Sequence, residues 1–230
     1  MLEMLIEDNP KFHLHGGTLT SWAVQPDTLR YLYSLLSPDM STLETGCGQT
    51  TVVFLIAGTS HICVSSETGE VDRVKQYCQK LNLKDTITFL TESSDKVLPH
   101  KEKIPSQFDL VFIDGAHGFP APIIDWYYTA HRLKVGGIVA VDDYRMPSVK
   151  ILYNFLCGED EWKLIKVKQN TAFFKKLREL KPIVDWSGQR INSSFNDNAK
   201  KAEKYPLVAK LMSFRWIGTM RQIISFLKRK

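Results

Sequence analysis

Long apolar segments are missing from the sequence. It has no run of about 18 uncharged apolar residues, the length that a helix needs to cross a bilayer. Residues 1–6 are mostly apolar, but Glu3 interrupts them and Glu7 and Asp8 follow, so this segment does not resemble a secretory signal peptide. We therefore expect neither a membrane-spanning helix nor a cleaved leader.

Cysteine is also scarce, with four residues in a chain of 230. No two of them form a Cys-x-x-Cys pair, so their spacing indicates neither a zinc site nor a disulfide framework. Several lie in apolar segments typical of a protein core, which favours a reducing compartment. A chain of this length can bury a large core without cross-links, and we expect a cytoplasmic protein.

Acidic residues are nearly absent from the last segment of the chain. Residues 199–230 hold nine of the 30 Lys and Arg residues but one of the 25 Asp and Glu residues. The rest of the chain therefore carries 21 basic and 24 acidic residues, a net charge of −3, although the whole chain has a formal charge of +5. A globally basic nucleic-acid-binding protein would not show this distribution, so we expect no nucleic-acid partner.

Strand-like and helix-like patterns alternate along the sequence. Near-continuous apolar strands joined by helices are typical of a parallel sheet that is covered on both faces. The last two strands follow each other closely, which predicts an antiparallel final strand. The pattern predicts a doubly wound, Rossmann-like α/β fold with a seven-stranded, mostly parallel sheet that binds ligands at the carboxyl ends of its strands. The predicted strands cover residues 41–45, 61–66, 86–90, 108–113, 138–141, 162–167 and 171–174, with a turn at 134–137.

A glycine turn follows the first predicted strand and opens a helix. Gly46 and Gly48 flank Cys47, and this spacing allows a tight turn with close approach of a ligand to the backbone. The third glycine of a dinucleotide site is absent, which argues against NAD. Glu44 would repel a phosphate but suits a positively charged cofactor, unless it serves to pin the loop. We expect Glu44, Thr50 and the turn to bind a cofactor; a plain tight turn is the alternative.

The ends of the next two predicted strands supply groups that suit a nucleoside. Glu67 lies 23 residues after Glu44, and an acid at this spacing accepts hydrogen bonds from ribose hydroxyls. Ser94 and Asp95 follow the third strand and can bind an adenine edge. The alternative is that these three residues cap helices.

Three carboxylates end the fourth and fifth predicted strands, which are neighbours in this topology. Asp114 ends the fourth strand, Asp142 and Asp143 end the fifth, and His117 follows Asp114 by three residues. Crowded acids need neutralisation, and a divalent cation such as Mg²⁺ supplies it through oxygen ligands. We predict a metal site at the three Asp residues, with strand-end caps as the alternative. His117 and Asp114 are candidate catalytic residues; His117 is either a general base or a group that orients Asp114.

Residues 43–174 resemble the class I S-adenosylmethionine-dependent methyltransferases. The segment from Glu44 to Gly48 is similar to their first motif, Glu67 matches their ribose-binding acid, and Ser94-Asp95 lies where the catechol-type enzymes contact adenine. The turn at 134–137 is similar to the one that precedes their fifth strand.

The acidic segments narrow the resemblance to the Mg-dependent O-methyltransferases of catechol and macrolide-sugar type. In that group the acids that match Asp114, Asp142 and Asp143 hold Mg²⁺. The family usually has His-x-Tyr where this sequence has His117-Gly118-Phe119, so the hydroxyl of that aromatic residue is absent. The resemblance implies methyl transfer from S-adenosylmethionine to a hydroxyl of a sugar, glycan or other small molecule. A non-catalytic scaffold that binds the cofactor and an NAD-linked oxidoreductase are the alternatives.

The two ends of the chain lie outside this resemblance. We predict a methyltransferase domain with a helical lead over residues 1–178, and a linker with a helical tail over 179–230. In the lead, His13 and His15 are expected to make loop or substrate contacts rather than to bind metal, and Trp22 covers a ligand or packs in the core. The basic amphipathic pattern at 207–227 predicts a helix that lies on the inner membrane face or packs on the body or a second subunit of a homo-oligomer.

Overall fold

The computed structural model of the protein describes residues 1–83, 86–100, 102, 104–180 and 189–192. Residues 1–180 form one compact unit, and residues 181–230 form a second. In the second unit a 3-10 turn covers Arg190–Asn192. The basic tail lies outside the described residues, so its membrane or packing role and the domain boundary after residue 178 stay predictions. Among the described residues no helix is long and apolar enough to cross a membrane.

Helices and strands alternate in the first unit, as the sequence pattern indicates. Elements are numbered here in chain order. The helices are α1 (Leu2–Asp8), α2 (Pro26–Ser34), α3 (Gln49–Ala57), α4 (Thr68–Lys80), α5 (Ser94–Val97), α6 (Ala121–Ala130) and α7 (Pro147–Gly158). The strands are β1 (His13–His15), β2 (Thr18–Thr20), β3 (Ser41–Thr45), β4 (Ser60–Val64), β5 (Ile87–Leu90), β6 (Phe108–Ile113), β7 (Leu133–Val141), β8 (Trp162–Lys168) and β9 (Thr171–Lys176).

The main sheet has seven strands in the order β5-β4-β3-β6-β7-β9-β8. Strands β3 to β7 run parallel to their neighbours, and β9 is antiparallel to both β7 and β8. The predicted doubly wound, Rossmann-like fold with an antiparallel final strand is confirmed. The chain runs outward from β3 to β5 and returns to β6 beside β3, so the strand order reverses between β3 and β6. A ligand crevice is expected at this switch point.

Two hydrophobic cores cover the two faces of the sheet, because alternate side chains of each central strand point to opposite faces. Helices α5, α6 and α7 pack on one face and α1, α2, α3 and α4 on the other. The first core includes Leu43, Val111, Val139, Leu98, Trp126 and Leu152. The second includes Phe112, Ala140, Leu5, Leu29, Phe54 and Val74.

The turn predicted at residues 134–137 is part of strand β7 in the structure. The ladder with β6 pairs Phe108 with Leu133 and then Leu110 with Ile138, so the intervening residues of β7 form an irregularity rather than a separate turn. Gly136 accommodates it with a φ of +89°, and the Lys134 ammonium donates to Asp109 at 2.6 Å. Strand β7 thus continues through residues 134–137, although their amino-acid types are typical of a turn.

A hairpin of β1 and β2 in the N-terminal lead was not predicted. Its two-residue turn consists of Gly16 and Gly17, with φ values of +56° and +79°. Positive φ at both central positions is the geometry of the tight hairpin turns that favour Gly-Gly. The signal was present in the sequence, but the strands are three residues long and carry little alternation.

Gly46 is the residue on which the turn after β3 depends. Its φ is +92°, and a Cβ added there would lie 2.1 Å from the carbonyl oxygen of Asp114. A side chain at this position would therefore overlap with the backbone of the neighbouring loop. Backbone cannot move away by changing rotamer, as a side chain could.

We predict that Gly46→Ala lowers the free energy of unfolding by about 3 kcal/mol or more, since backbone strain and overlap add. Gly158→Ala is the matched control, because a Cβ there meets no atom within 4 Å. It should change the free energy by less than about 1 kcal/mol. Urea denaturation followed by circular dichroism measures both. Equal stability of the two variants would contradict the close approach of the two loops.

Candidate active site

A cavity of about 890 Å³ opens at the carboxyl ends of strands β3 to β7. Loops that follow each of these strands contribute to its lining, and the N-terminal hairpin closes one side. All but one of the predicted site residues line this cavity, although they span a hundred positions in the sequence. They are Gly46, Cys47, Gly48, Thr50, Glu67, Ser94, Asp95, Asp114, His117, Asp142 and Asp143.

Glu44 is the predicted site residue that the structure does not place in the cavity lining. It is 1% exposed, and its carboxylate lies beneath the glycine turn. The hydroxyls of Thr50 and Thr51 donate to its two oxygens, and His61 Nε2 lies 3.2 Å from Oε1. With its oxygens engaged in this way, Glu44 pins the loop from below, the alternative that the sequence left open.

The glycine turn presents backbone to the cavity. The Gly46 N–H donates to the Val64 carbonyl at 2.9 Å, which fixes the turn against the end of β4. The Gly48 N–H donates to the hydroxyl of Thr51 at 2.9 Å at the start of α3. Cys47 is buried between the two glycines, so at this position the backbone is what a ligand meets.

The β4 and β5 ends of the cavity carry the groups predicted to bind a nucleoside. Glu67 is the N-cap residue of α4, but its side chain makes no capping hydrogen bond. It is exposed at the cavity wall, and its carboxylate is available to accept from hydroxyls. Ser94 and Asp95 begin the short helix α5 and line the same wall.

Asp125 lies beneath this region and was missed by the sequence reasoning. It is fully buried in α6, and its Oδ2 lies 3.3 Å from where a Cβ on Gly115 would be. Burial raises the pKa of Asp125, an effect that Ser94 and Thr45 partly offset. A lone acid on an apolar helix face gives no local signal, since its surroundings come from three distant loops.

The acidic end of the cavity lies at β6 and β7. His117 Nε2 is 3.5 Å from Asp114 Oδ1 and 3.6 Å from Asp143 Oδ2. Asp142 is largely buried and accepts from the Thr171 hydroxyl. The predicted convergence of the three acids and the histidine is therefore present, and β9 adds Thr171 to it.

This crowding changes the protonation of both candidate catalytic groups. Burial, together with the charges of Asp142 and Asp143, raises the pKa of Asp114 to about 7, although His117 opposes the shift. The Asp114 carboxylate in turn raises the pKa of His117 above its ordinary value of 6.5. The raised pKa of Asp114 lies near neutral pH, where acid–base catalysis is most effective.

The oxygen-rich donors at this end fit Mg²⁺ chemically, because no Lys or Arg of the described lining neutralises them. Their spacing is looser than that of a formed site: among the described residues no group of three or more His, Cys, Asp or Glu side chains is arranged to hold a metal ion. One or two carboxylates with water molecules suffice for Mg²⁺.

Comparison with known proteins identifies the domain. A family model described as a methyltransferase domain matches residues 43–144, the span from the glycine turn to the acidic end of the cavity. No curated protein matches the chain. The match covers fewer than half of the 230 residues, and it assigns residues 43–144 to a methyltransferase domain.

Solved structures support the same fold at low sequence identity. An O-methyltransferase from Bacillus cereus in complex with S-adenosylhomocysteine has a TM-score of 0.60 and 14% identity, covering 77% of this chain and 90% of its own. The O-methyltransferase TomG from Streptomyces achromogenes, in complex with S-adenosylmethionine, has a TM-score of 0.57 and 15% identity, and the match covers 70% of this chain and 84% of TomG. An rRNA methylase from Streptococcus thermophilus has a TM-score of 0.54 and 13% identity, and the match covers 66% of this chain and 95% of the methylase.

The methyltransferase match favours S-adenosylmethionine over NAD as the cofactor. The absent third glycine and the nucleoside-binding acid led to the same choice from sequence. The domain leaves the acceptor open, because the solved relatives include both an O-methyltransferase and an rRNA methylase.

Proposed function

We propose that the protein transfers the methyl group of S-adenosylmethionine to a hydroxyl of a sugar, glycan or other small molecule. The observation that carries the proposal is the convergence of His117 with Asp114 and Asp143 at the β6–β7 end of the cavity. Methyl transfer from a sulfonium needs an aligned nucleophile and a group that removes its proton. A hydroxyl requires such a base, and this end supplies one.

The charge of the cavity supports a small, non-anionic acceptor. Six carboxylates line it, and no Lys or Arg is among its described lining residues. This field favours a cationic sulfonium and opposes a phosphorylated acceptor or a nucleic acid, whose binding depends on Lys and Arg. The carboxylates are those of Glu67, Glu70, Asp95, Asp114, Asp142 and Asp143.

The mouth of the cavity offers apolar surface for a flat molecule. Trp22 is 58% exposed, Phe119 66% and Met146 40%, and all three are lining residues. Aromatic faces pack against the apolar C–H faces of sugar rings as well as against aryl rings. We assign this surface to the acceptor, with its hydroxyl directed toward His117.

His117 is the group that accepts the hydroxyl proton in this mechanism. Its backbone carbonyl accepts from the Ser148 hydroxyl at 2.5 Å, which fixes the loop that carries it. Asp114 stabilises the imidazolium that forms. Mg²⁺, when bound by Asp114, Asp142 and Asp143, supplies a Lewis acid that lowers the pKa of the acceptor hydroxyl.

The proposal predicts which acceptors are labelled by radioactive S-adenosylmethionine. In a panel of matched compounds, neutral or amino sugars and phenols should be methylated, whereas their phosphorylated counterparts should not, because the carboxylates repel them. Methyl incorporation measured by scintillation counting after chromatography gives the answer. Transfer to RNA, or preference for the phosphorylated member of each pair, would contradict the proposed acceptor class.

Mg²⁺ assistance predicts that EDTA abolishes turnover and that added Mg²⁺ restores it. Asp142→Asn should lower kcat at least about tenfold, the scale of a disturbed metal site. Asp72→Asn is the control, since this acid is exposed on α4 and does not line the cavity. Full activity of the wild-type protein in EDTA would remove the metal from the mechanism.

General-base action by His117 predicts a rise of kcat/KM with pH. The base must be neutral, and its raised pKa places that change above pH 6.5, so activity should climb through neutral pH and then level off. His117→Gln should lower kcat about 100-fold and flatten this limb. His100→Gln, at an exposed histidine paired with Glu102, should leave the profile unchanged. If kcat/KM of His117→Gln still rose with pH as in the wild-type protein, a group other than His117 would be the one that titrates.

A further inference from the structure

The sheet order sets the direction in which S-adenosylmethionine lies in the cavity. The predicted adenine and ribose contacts are at the ends of β5 and β4, and the methyl acceptor is assigned to the ends of β6 and β7. The sulfonium therefore lies near the glycine turn of β3, with its methyl group toward β6. Its third substituent, the aminobutyrate chain, must leave on the side away from the acceptor. This orientation rests on the proposed function.

The α-carboxylate of that chain needs a positive partner that the cavity hardly provides. Six carboxylates are part of the described lining, and Lys and Arg are absent from it. The described lining residues that can carry a positive charge are His13 and His117. His117 lies among the aspartates at the acceptor end, which leaves His13.

His13 is directed at the glycine turn. Its Nδ1 lies 2.9 Å from Oε1 of Glu70, and both side chains are largely buried. Its Nε2 is the nearest atom to Gly48 on the cavity side, 3.3 Å from where a Cβ would be. A hydrogen bond at one ring nitrogen fixes the ring and leaves the other nitrogen for a ligand.

The hairpin that carries His13 is fastened to the helices around the cofactor turn. Arg73 of α4 donates to the Phe12 carbonyl at 2.5 Å, and Gln49 of α3 donates to Asn9 at 2.9 Å. The ring of Trp22 stacks on His13 with centroids 5.4 Å apart. The imidazole is therefore held in place before a ligand arrives, which reduces the entropic cost of binding.

We propose that His13 binds the α-carboxylate of S-adenosylmethionine and that Glu70 is the positioning residue for its imidazole. His13 lies outside residues 43–144, so the cofactor site extends beyond the methyltransferase domain match. The N-terminal lead is then part of the cofactor site as well as of the acceptor site.

Calorimetric titration with two ligands tests this contact without turnover. S-adenosylhomocysteine carries the aminobutyrate chain, whereas 5′-methylthioadenosine lacks it. His13→Ala and His13→Gln should weaken S-adenosylhomocysteine at least about tenfold, the loss of one charged hydrogen bond, and change 5′-methylthioadenosine less than about twofold. Glu70→Gln should weaken S-adenosylhomocysteine by a smaller factor. His15→Ala is the control, because His15 also contacts Trp22 but does not line the cavity.

Two results would overturn the inference. Equal weakening of both ligands in the His13 variants would show that the residue only shapes the cavity, and unchanged binding of S-adenosylhomocysteine would show that it makes no contact. Failure of the wild-type protein to bind either ligand would instead reject the cavity as the cofactor site. None of these results depends on the acceptor or on Mg²⁺, so the proposed function fails or stands separately.

Discussion

The buried carboxylate of Glu44 is the constraint on which the cofactor loop depends. A charge in the core is costly unless it is hydrogen-bonded, and here the hydroxyls of Thr50 and Thr51 donate to the Glu44 carboxylate while His61 Nε2 lies 3.2 Å from it. The His61 ring stacks on Phe54 of α3 at a centroid distance of 4.0 Å. These contacts join β3, α3 and β4 around one group, so the turn between β3 and α3 has a single low-energy arrangement.

From that fixed turn, backbone hydrogen bonds set the neighbouring loops in register. The Asp114 N–H donates to the Thr45 carbonyl, and the Asp142 N–H donates to the Ile113 carbonyl, each at 3.0 Å. The ends of β3, β6 and β7 are thereby held in sequence across the sheet. This pairing fixes the order in which the glycine turn and the acidic end of the cavity lie along the edge of the sheet.

The sequence was sufficient for the fold and for the place of all but one of the predicted site residues in the cavity lining, because both depend on signals that are local in the chain. Apolar strands, their spacing and the polar residues at their ends are readable one segment at a time. Roles that depend on a partner from another element were not readable. Glu44 and Asp125 are examples. The sequence does not reveal that His61 lies beside Glu44, or that Gly115 lies against Asp125.

The carboxylates that line the cavity would act differently on the two forms of the proposed cofactor. A sulfonium is attracted by the surrounding carboxylates, whereas the thioether left after methyl transfer is neutral and loses that attraction. In the proposed mechanism the proton of the acceptor hydroxyl would pass to His117, and the imidazolium beside Asp114 and Asp143 would then carry the positive charge. Positive charge would thus move from the cofactor to the protein among the same carboxylates, so the proposed transfer would create no new pair of separated charges.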